Sequence, residues 1–371
     1  MNGTRDGGLD AMRGLAMLAV LFGHALELFF RARPDGGFDA GAFALYRTIY
    51  AFHMPAFFVI SGMAAARSTD GGLKKVLTGA LMLLLFADAT HLAALPLAAL
   101  ARPELSPRAL LAIGVMPLLT GSWYSLVVTW FLTALAFVQL LAWLHRRLGI
   151  AGRILIWSVL ALAFWFARAA ALPLFMCQVW GFGLLFFLCG RAAADSPHLH
   201  FKAPRPALLA AGLALLLLTS WGARLNTGCL FDPAGACNAP VSLLDGQVGF
   251  LPLFLLFAAT GSAALVCLAR AAEGTGLLAP LAWVGRHTLT LLVVNGAVLE
   301  YLQRPLLAGL VPAGPPLLAL GLAAGLSLAQ LAAIPPLSPV IAALQAFCRL
   351  TAGKIAAFCL PATDDREAKA F

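Results

Sequence analysis

The sequence predicts an all-α polytopic membrane protein with about ten transmembrane helices and both termini cytoplasmic. Three observations carry this. The chain of 371 residues is 61% hydrophobic and 11% charged, whereas a soluble domain holds about 45–50% apolar and about 25% charged residues. Its apolar stretches are continuous runs of about 20 residues, the length that spans a bilayer as a helix, rather than the alternating pattern of a barrel. Its basic residues fall mostly on one set of connections, as topology requires.

Apolar runs between charged loops place spans near 11–30, 43–66, 76–98, 123–144, 154–172, 174–190, 207–223, 245–268, 281–303 and 314–335. The first continues through Phe29 and Phe30 without a small-residue cleavage site, so it reads as a span and not as a leader. A further run, 107–120, is short and carries Pro107 and Pro117. If it does not cross, 17 of the 25 basic residues lie with the termini and the even-numbered connections, and 8 lie on the opposite side. If it crosses, the clusters at 146–153 and 191–205 invert. The segment is therefore expected to be re-entrant or interfacial, with a true eleventh span as the alternative.

Residues 1–335 read as one transmembrane domain. Residues 336–371 read as a cytoplasmic tail, amphipathic up to about 360 and lying on the membrane, because Pro339, Arg349 and Lys354 interrupt its apolar run. The formal charge of +9 comes with no basic cluster interleaved with aromatics, which argues against nucleic acid. The seven cysteines show no metal-ligand spacing, so no metal is expected. Cys229 and Cys237 share a long outer loop and are either a disulfide or two free thiols.

Titratable groups inside spans are costly and mark candidate function. The first span holds Asp10, Arg13, His24 and Glu27, the second His53 and Ser61, the third Asp88 and His91, and the ninth Arg286, His287, Asn295 and Glu300. His24 follows Arg13 by 11 residues, which is three turns plus about 20° and about 16 Å of helix, so both share one face. Asp10 lies a turn before Arg13, and Glu27 is close enough to touch the His24 ring. A cation at the inner surface holds phosphate, a buried His serves as general base, and a neighbouring carboxylate orients it. Taken singly, His53 or the Asp88–His91 pair is equally an ordinary buried group. Arg13 and Arg286 are equally topology anchors that snorkel to the headgroups.

The segment LDAMRGLAMLAVLFGH, Leu9 to His24, resembles the first helix of the acyltransferase-3 family of integral membrane O-acyltransferases, with its Arg, ten residues and His. AFHMPAFFVISG (51–62), WFLTALAF (130–137) and WVGRHTLTLLVVNG (283–296) resemble three further family motifs in the same order. The resemblance implies transfer of an acyl group, usually acetyl, from cytosolic acyl-CoA to a hydroxyl of a sugar or surface polysaccharide, in a bacterial inner membrane. The catalytic group implied is His24, acting as a base or a transient acyl carrier; from their placement in the spans, Glu27, His53 and Asp88 are expected to assist it. Donor contacts are expected from Arg13, Asp10, Arg286, Lys74 and Lys75, and acceptor contacts from His91, Asn295, Glu300 and Trp130. Glu27 or Asp88 would orient the imidazole, and His53, Ser61 or Asn295 would donate to a thioester oxyanion. Many relatives carry a His near the place of Asn295. Rival readings of the same groups are a proton-coupled exporter and a non-catalytic subunit of a polysaccharide-export complex.

Overall fold

A computed structural model describes residues 6–29, 40–67, 72–101, 103–104, 106–196, 203–226, 228, 240–307 and 316–360. The helices are α1 (Gly7–Leu26), α2 (Ala40–Tyr50), α3 (His53–Arg67), α4 (Leu73–Ala101), α5 (Pro107–Thr120), α6 (Trp130–Arg147) and α7 (Ile150–Ala170). They continue as α8 (Cys177–Asp195), α9 (Arg205–Ala223), α10 (Leu251–Ala272), α11 (Leu278–Arg286), α12 (Thr288–Ala297), α13 (Pro316–Leu331) and α14 (Ile334–Cys359). No β-strand occurs among the described residues, and nine helical segments there are long and apolar enough to cross a membrane. The Cys229–Cys237 question lies outside the described residues.

The first eight expected spans each coincide with one of those nine segments. The ninth does not run straight. It breaks into α11 and α12 and ends in a π-helix, Val298–Leu307. The second is interrupted at Ala51–Phe52, just before His53, because Pro55 has no N–H to continue the ladder. The tenth is α13, only 16 residues long.

Helix α1 begins at an N-cap, the Asp6 carboxylate accepting from the N–H groups of Gly8 and Leu9 at 2.9 and 3.1 Å. It runs through the middle of the bundle, packed against α2, α3, α10, α11 and α13. Two crossings bring backbones together. A Cβ on Gly14 or Gly285 would overlap the facing backbone of α11 or α1, and one on Gly62 or Gly190 would overlap that of α8 or α3. Small residues permit such approach where lipid provides no hydrophobic drive. Gly62 and Gly285 belong to the motif stretches, so those motifs fix helix packing as well as chemistry.

Helix α5 adds no crossing of its own. Gly114 packs on Leu95, His91 Nε2 donates to the Gly114 carbonyl (3.2 Å), and Tyr124 reaches Asp88 (3.2 Å). The chain thus follows α4 inward and passes directly into α6, whose Gln139 touches Gly79. At 14 residues α5 is shorter than the nine helical segments long enough to cross.

The segment read from its charges as a surface-lying amphipathic tail forms one long helix. Helix α14 is 26 residues long, meets the length and apolarity needed to cross, and packs along α4. Its buried face is Cys348, Ala352 and Ala356. Their four-residue spacing forms a small-residue strip, which the eye drawn to Arg349 and Lys354 passes over.

Candidate active site

A cavity of about 420 Å³ opens within the bundle. Residues from α1, α2, α3, α6, α12, the π-helix and the 240–247 turn line it, running from Arg13 at one end to Arg304 at the other. His24, in the last turn of α1 and 9% exposed, stands in its wall.

A chain of amides fixes the His24 ring. Gln330 of α13 donates its Nε2 to the Leu326 carbonyl (3.4 Å), so its Oε1 faces Asn295 and accepts from Asn295 Nδ2 at 3.1 Å. Asn295 Oδ1 is then turned to His24 Nδ1, 2.5 Å away. An amide oxygen can only accept, so Nδ1 carries the ring proton and Nε2 keeps its lone pair. Gln303 Nε2 also donates to the His24 carbonyl at 3.1 Å. Asn295 is fully buried. It is the residue that orients the histidine, a role the sequence suggested for Glu27 or Asp88.

Glu27 serves a different cluster. Its Oε1 accepts from the hydroxyls of Tyr46 (3.0 Å) and Tyr50 (3.1 Å), and its Oε2 lies 3.7 Å from Arg304. Arg304 also pairs with Glu300, one π-helical turn before it. The Tyr50 ring stands between two histidines, its centroid 6.2 Å from that of His24 and 4.7 Å from that of His53. His53 directs Nδ1 at the Ile49 carbonyl, 2.9 Å away. That nitrogen must therefore carry the proton, so in this tautomer Nε2 accepts. The oxyanion-donor role expected of His53 does not fit that geometry.

Other expected site residues separate into two groups. Trp130 lines the cavity with His24, His53 and Glu27. Asp88 and His91 do not line it. Asp88 accepts from the Tyr124 hydroxyl at 3.2 Å, and His91 accepts from the Ser125 N–H at 3.0 Å while donating to Gly114. Both ring nitrogens of His91 are committed to holding the α5–α6 connection, so this histidine is structural. Ser61, eight residues beyond His53 and about 12 Å along α3, lies at the Arg13 end and not beside His24.

A second cavity, also about 420 Å³, adjoins the first, sharing Arg13, Ser61 and Leu135 as walls. Arg13, Lys75, Arg146, Arg147 and Arg191 gather in its wall. The Arg147 guanidinium lies 4.1 Å from the centroid of the Trp143 ring, and the buried Trp143 Nε1 has no hydrogen-bond partner among the described residues. Arg13 binds Asp10 at 2.9 Å, which makes Asp10 the holder of that cation rather than a ligand contact. Lys74 and Arg286 are exposed and line neither cavity. Arg146, Arg147 and Arg191 count in the sequence only as topology signals. Tyr46, Gln330 and Arg304 stand on elements far apart in sequence from His24. Their only legible signal is a polar group in an apolar run.

The fold and this site define an integral membrane protein whose buried imidazole lies in a cavity that adjoins a cationic one at the far end of the same helix. The chain matches the acyltransferase domain profile Acyl_transf_3 over residues 6–334, and it belongs to that family of membrane acyltransferases. Comparison with curated proteins and with solved structures returns no match.

Proposed function

We propose that this protein transfers an acyl group, acetyl above all, from cytosolic acyl-CoA to a hydroxyl of a sugar or polysaccharide handled at the outer face of a bacterial inner membrane. The observation that carries the reading is the Gln330–Asn295–His24 chain, which leaves a basic Nε2 in the wall of a cavity adjoining a five-cation one.

The cation-rich Arg13 end is the cytoplasmic side by the positive-inside rule. There Arg146, Arg147 and Arg191 would take phosphates of the donor through forked donors, with Lys75 as a point charge. The thin arm of the donor would extend past Arg13 toward His24, about 16 Å further along α1. His24 Nε2 accepts the proton of the acceptor hydroxyl as the oxygen attacks the thioester carbonyl. The C–O bond forms, the C–S bond breaks, and the imidazolium returns its proton to the departing thiolate. Asn295 Oδ1 stabilises the imidazolium through Nδ1–H, as the orienting group of a triad does. Partnership with a polysaccharide synthesis or export complex is compatible with an acceptor delivered to the outer mouth.

The test is purified protein with acetyl-CoA and a sugar acceptor, following free thiol release and acetyl-sugar by mass spectrometry. Thiol release that depends on His24 and on acceptor is the expected result. Acceptor flux across proteoliposomes without acyl-CoA would replace this reading with a transporter.

A further inference from the structure

Between α9 and α10 the chain makes a tight turn that dips into the bundle. Ser242 and Gln247 exchange two antiparallel backbone hydrogen bonds of 2.7 and 2.8 Å, and Gly246 takes the left-handed conformation that closes the turn, at φ +63°. Val241 and Leu243 are 4% and 5% exposed and belong to the main core cluster. Side chains pin the turn from three directions. Gln178 Nε2 donates to the Leu244 carbonyl (2.8 Å), Arg168 to the Asp245 carbonyl (3.1 Å), and Asn226 Nδ2 to the Val248 carbonyl (3.1 Å). An irregular segment held this way is a preformed surface rather than a slack loop.

The turn lines the His24 cavity with Ser242, Asp245 and Gln247 among its wall residues. It does so at the end away from Arg13. Helix α10 carries Leu265 and Ala269 into the cluster that holds Leu9 and Met12, so its start, and the turn before it, lie at the opposite end. That end carries both the Asp245 carboxylate and Arg304, whereas five cations gather at the Arg13 end, so the far end suits a neutral co-substrate better than a polyphosphate donor. The Ser242 hydroxyl donates to Asp245 Oδ2 at 2.6 Å. The Ser242 oxygen also accepts from the Asp245 N–H at 3.3 Å, which leaves its second lone pair and Asp245 Oδ1 as neighbouring acceptors, with Gln247 in the same cavity wall.

We propose that the 240–248 turn is the docking element for the acceptor. Asp245 and Ser242 accept hydrogen bonds from two adjacent hydroxyls of a polyol and thereby select which hydroxyl faces His24. This rests on the acyl-transfer reading for its chemistry, but the docking itself is measurable without catalysis.

The probes are a panel of methyl glycosides that differ in the configuration of one vicinal diol, with methyl β-glucoside as the reference. Asp245→Asn should raise the KM for the preferred glycoside at least tenfold and flatten the preference across the panel, with the KM for acetyl-CoA unmoved. In a separate arm, Leu244→Cys protein, whose altered side chain lines the cavity beside Asp245, is labelled with a membrane-impermeant maleimide, and modification at position 244 is followed by peptide mass spectrometry. The preferred glycoside should slow labelling at least threefold. Active transfer with an unchanged glycoside KM and preference in Asp245→Asn overturns the docking proposal alone. Glycoside protection of the Leu244→Cys protein, where the wild-type protein transfers no acetyl group, overturns the acyl-transfer reading and sustains the docking site. No protection by any glycoside overturns the docking proposal.

Discussion

Replacing Asn295 with leucine tests the central geometry. The substitution keeps the side-chain volume close while removing Oδ1, the acceptor of His24 Nδ1–H, and Nδ2, the donor to Gln330. A hydrogen bond to a charged group contributes about 1.5–3 kcal/mol. The imidazole becomes charged only as it takes the acceptor proton, so that loss falls on the transition state more than on the ground state. At about 1.4 kcal/mol per tenfold in rate, it corresponds to roughly 10- to 150-fold in kcat. Loss of the fixed tautomer lowers the fraction of enzyme with a free Nε2, so the expected fall is about 100-fold, with the KM for acyl-CoA little changed. Asn295→Asp restores an acceptor at Nδ1 and should recover most of this. The assay is thiol release from acetyl-CoA in detergent with acceptor present, alongside size exclusion and a thermal melt to establish folding. Full kcat in a folded Asn295→Leu protein would refute the claim that this amide positions the catalytic ring. So would an additive further loss on combining it with His24→Ala, because groups acting as one unit do not add.

The remaining expectations follow from the same geometry. His24→Ala should abolish transfer in a protein that still inserts and elutes as wild type, and activity retained there removes His24 as the base. Arg13→Ala and Arg191→Ala should each raise the KM for acyl-CoA several-fold, an effect that shrinks as salt screens the phosphates, whereas a donor dependence equal to wild type counts against the cationic cavity as donor site. His91→Leu should lower stability by about 1–3 kcal/mol per unpaired buried partner, seen as a lower midpoint in a thermal melt, and the donor KM should stay put. Gly285→Leu forces a side chain into the α1 backbone and should prevent recovery of folded protein, with an ordinary expression yield speaking against the close α1–α11 crossing.

Much of the frame is written in composition. Continuous apolar runs and the one-sided placement of Arg and Lys specify the spans, because bilayer thickness and topology act on single segments. The Arg13–His24 stripe is likewise local, a consequence of helical period within α1. A property that belongs to two segments at once is not legible in this way. Helical neighbourhood and depth point to Glu27 or Asp88 as the group that orients His24. The folded chain brings Asn295 from 271 positions away to Nδ1, while Glu27 accepts from two tyrosines and lies beside Arg304. Arg146, Arg147 and Arg191 read in the sequence as topology markers, and tertiary packing gathers them with Arg13 around one cavity. His91, buried and titratable like His24, differs from it only in its partners, which close both ring nitrogens against the α5–α6 connection. The sequence by itself decided that this chain is a membrane bundle and that Arg13 and His24 share one face of its first helix. Only the tertiary structure decided which buried polar groups are occupied in holding the bundle and which keep a lone pair facing open space, because that depends on hydrogen-bond partners supplied by distant helices.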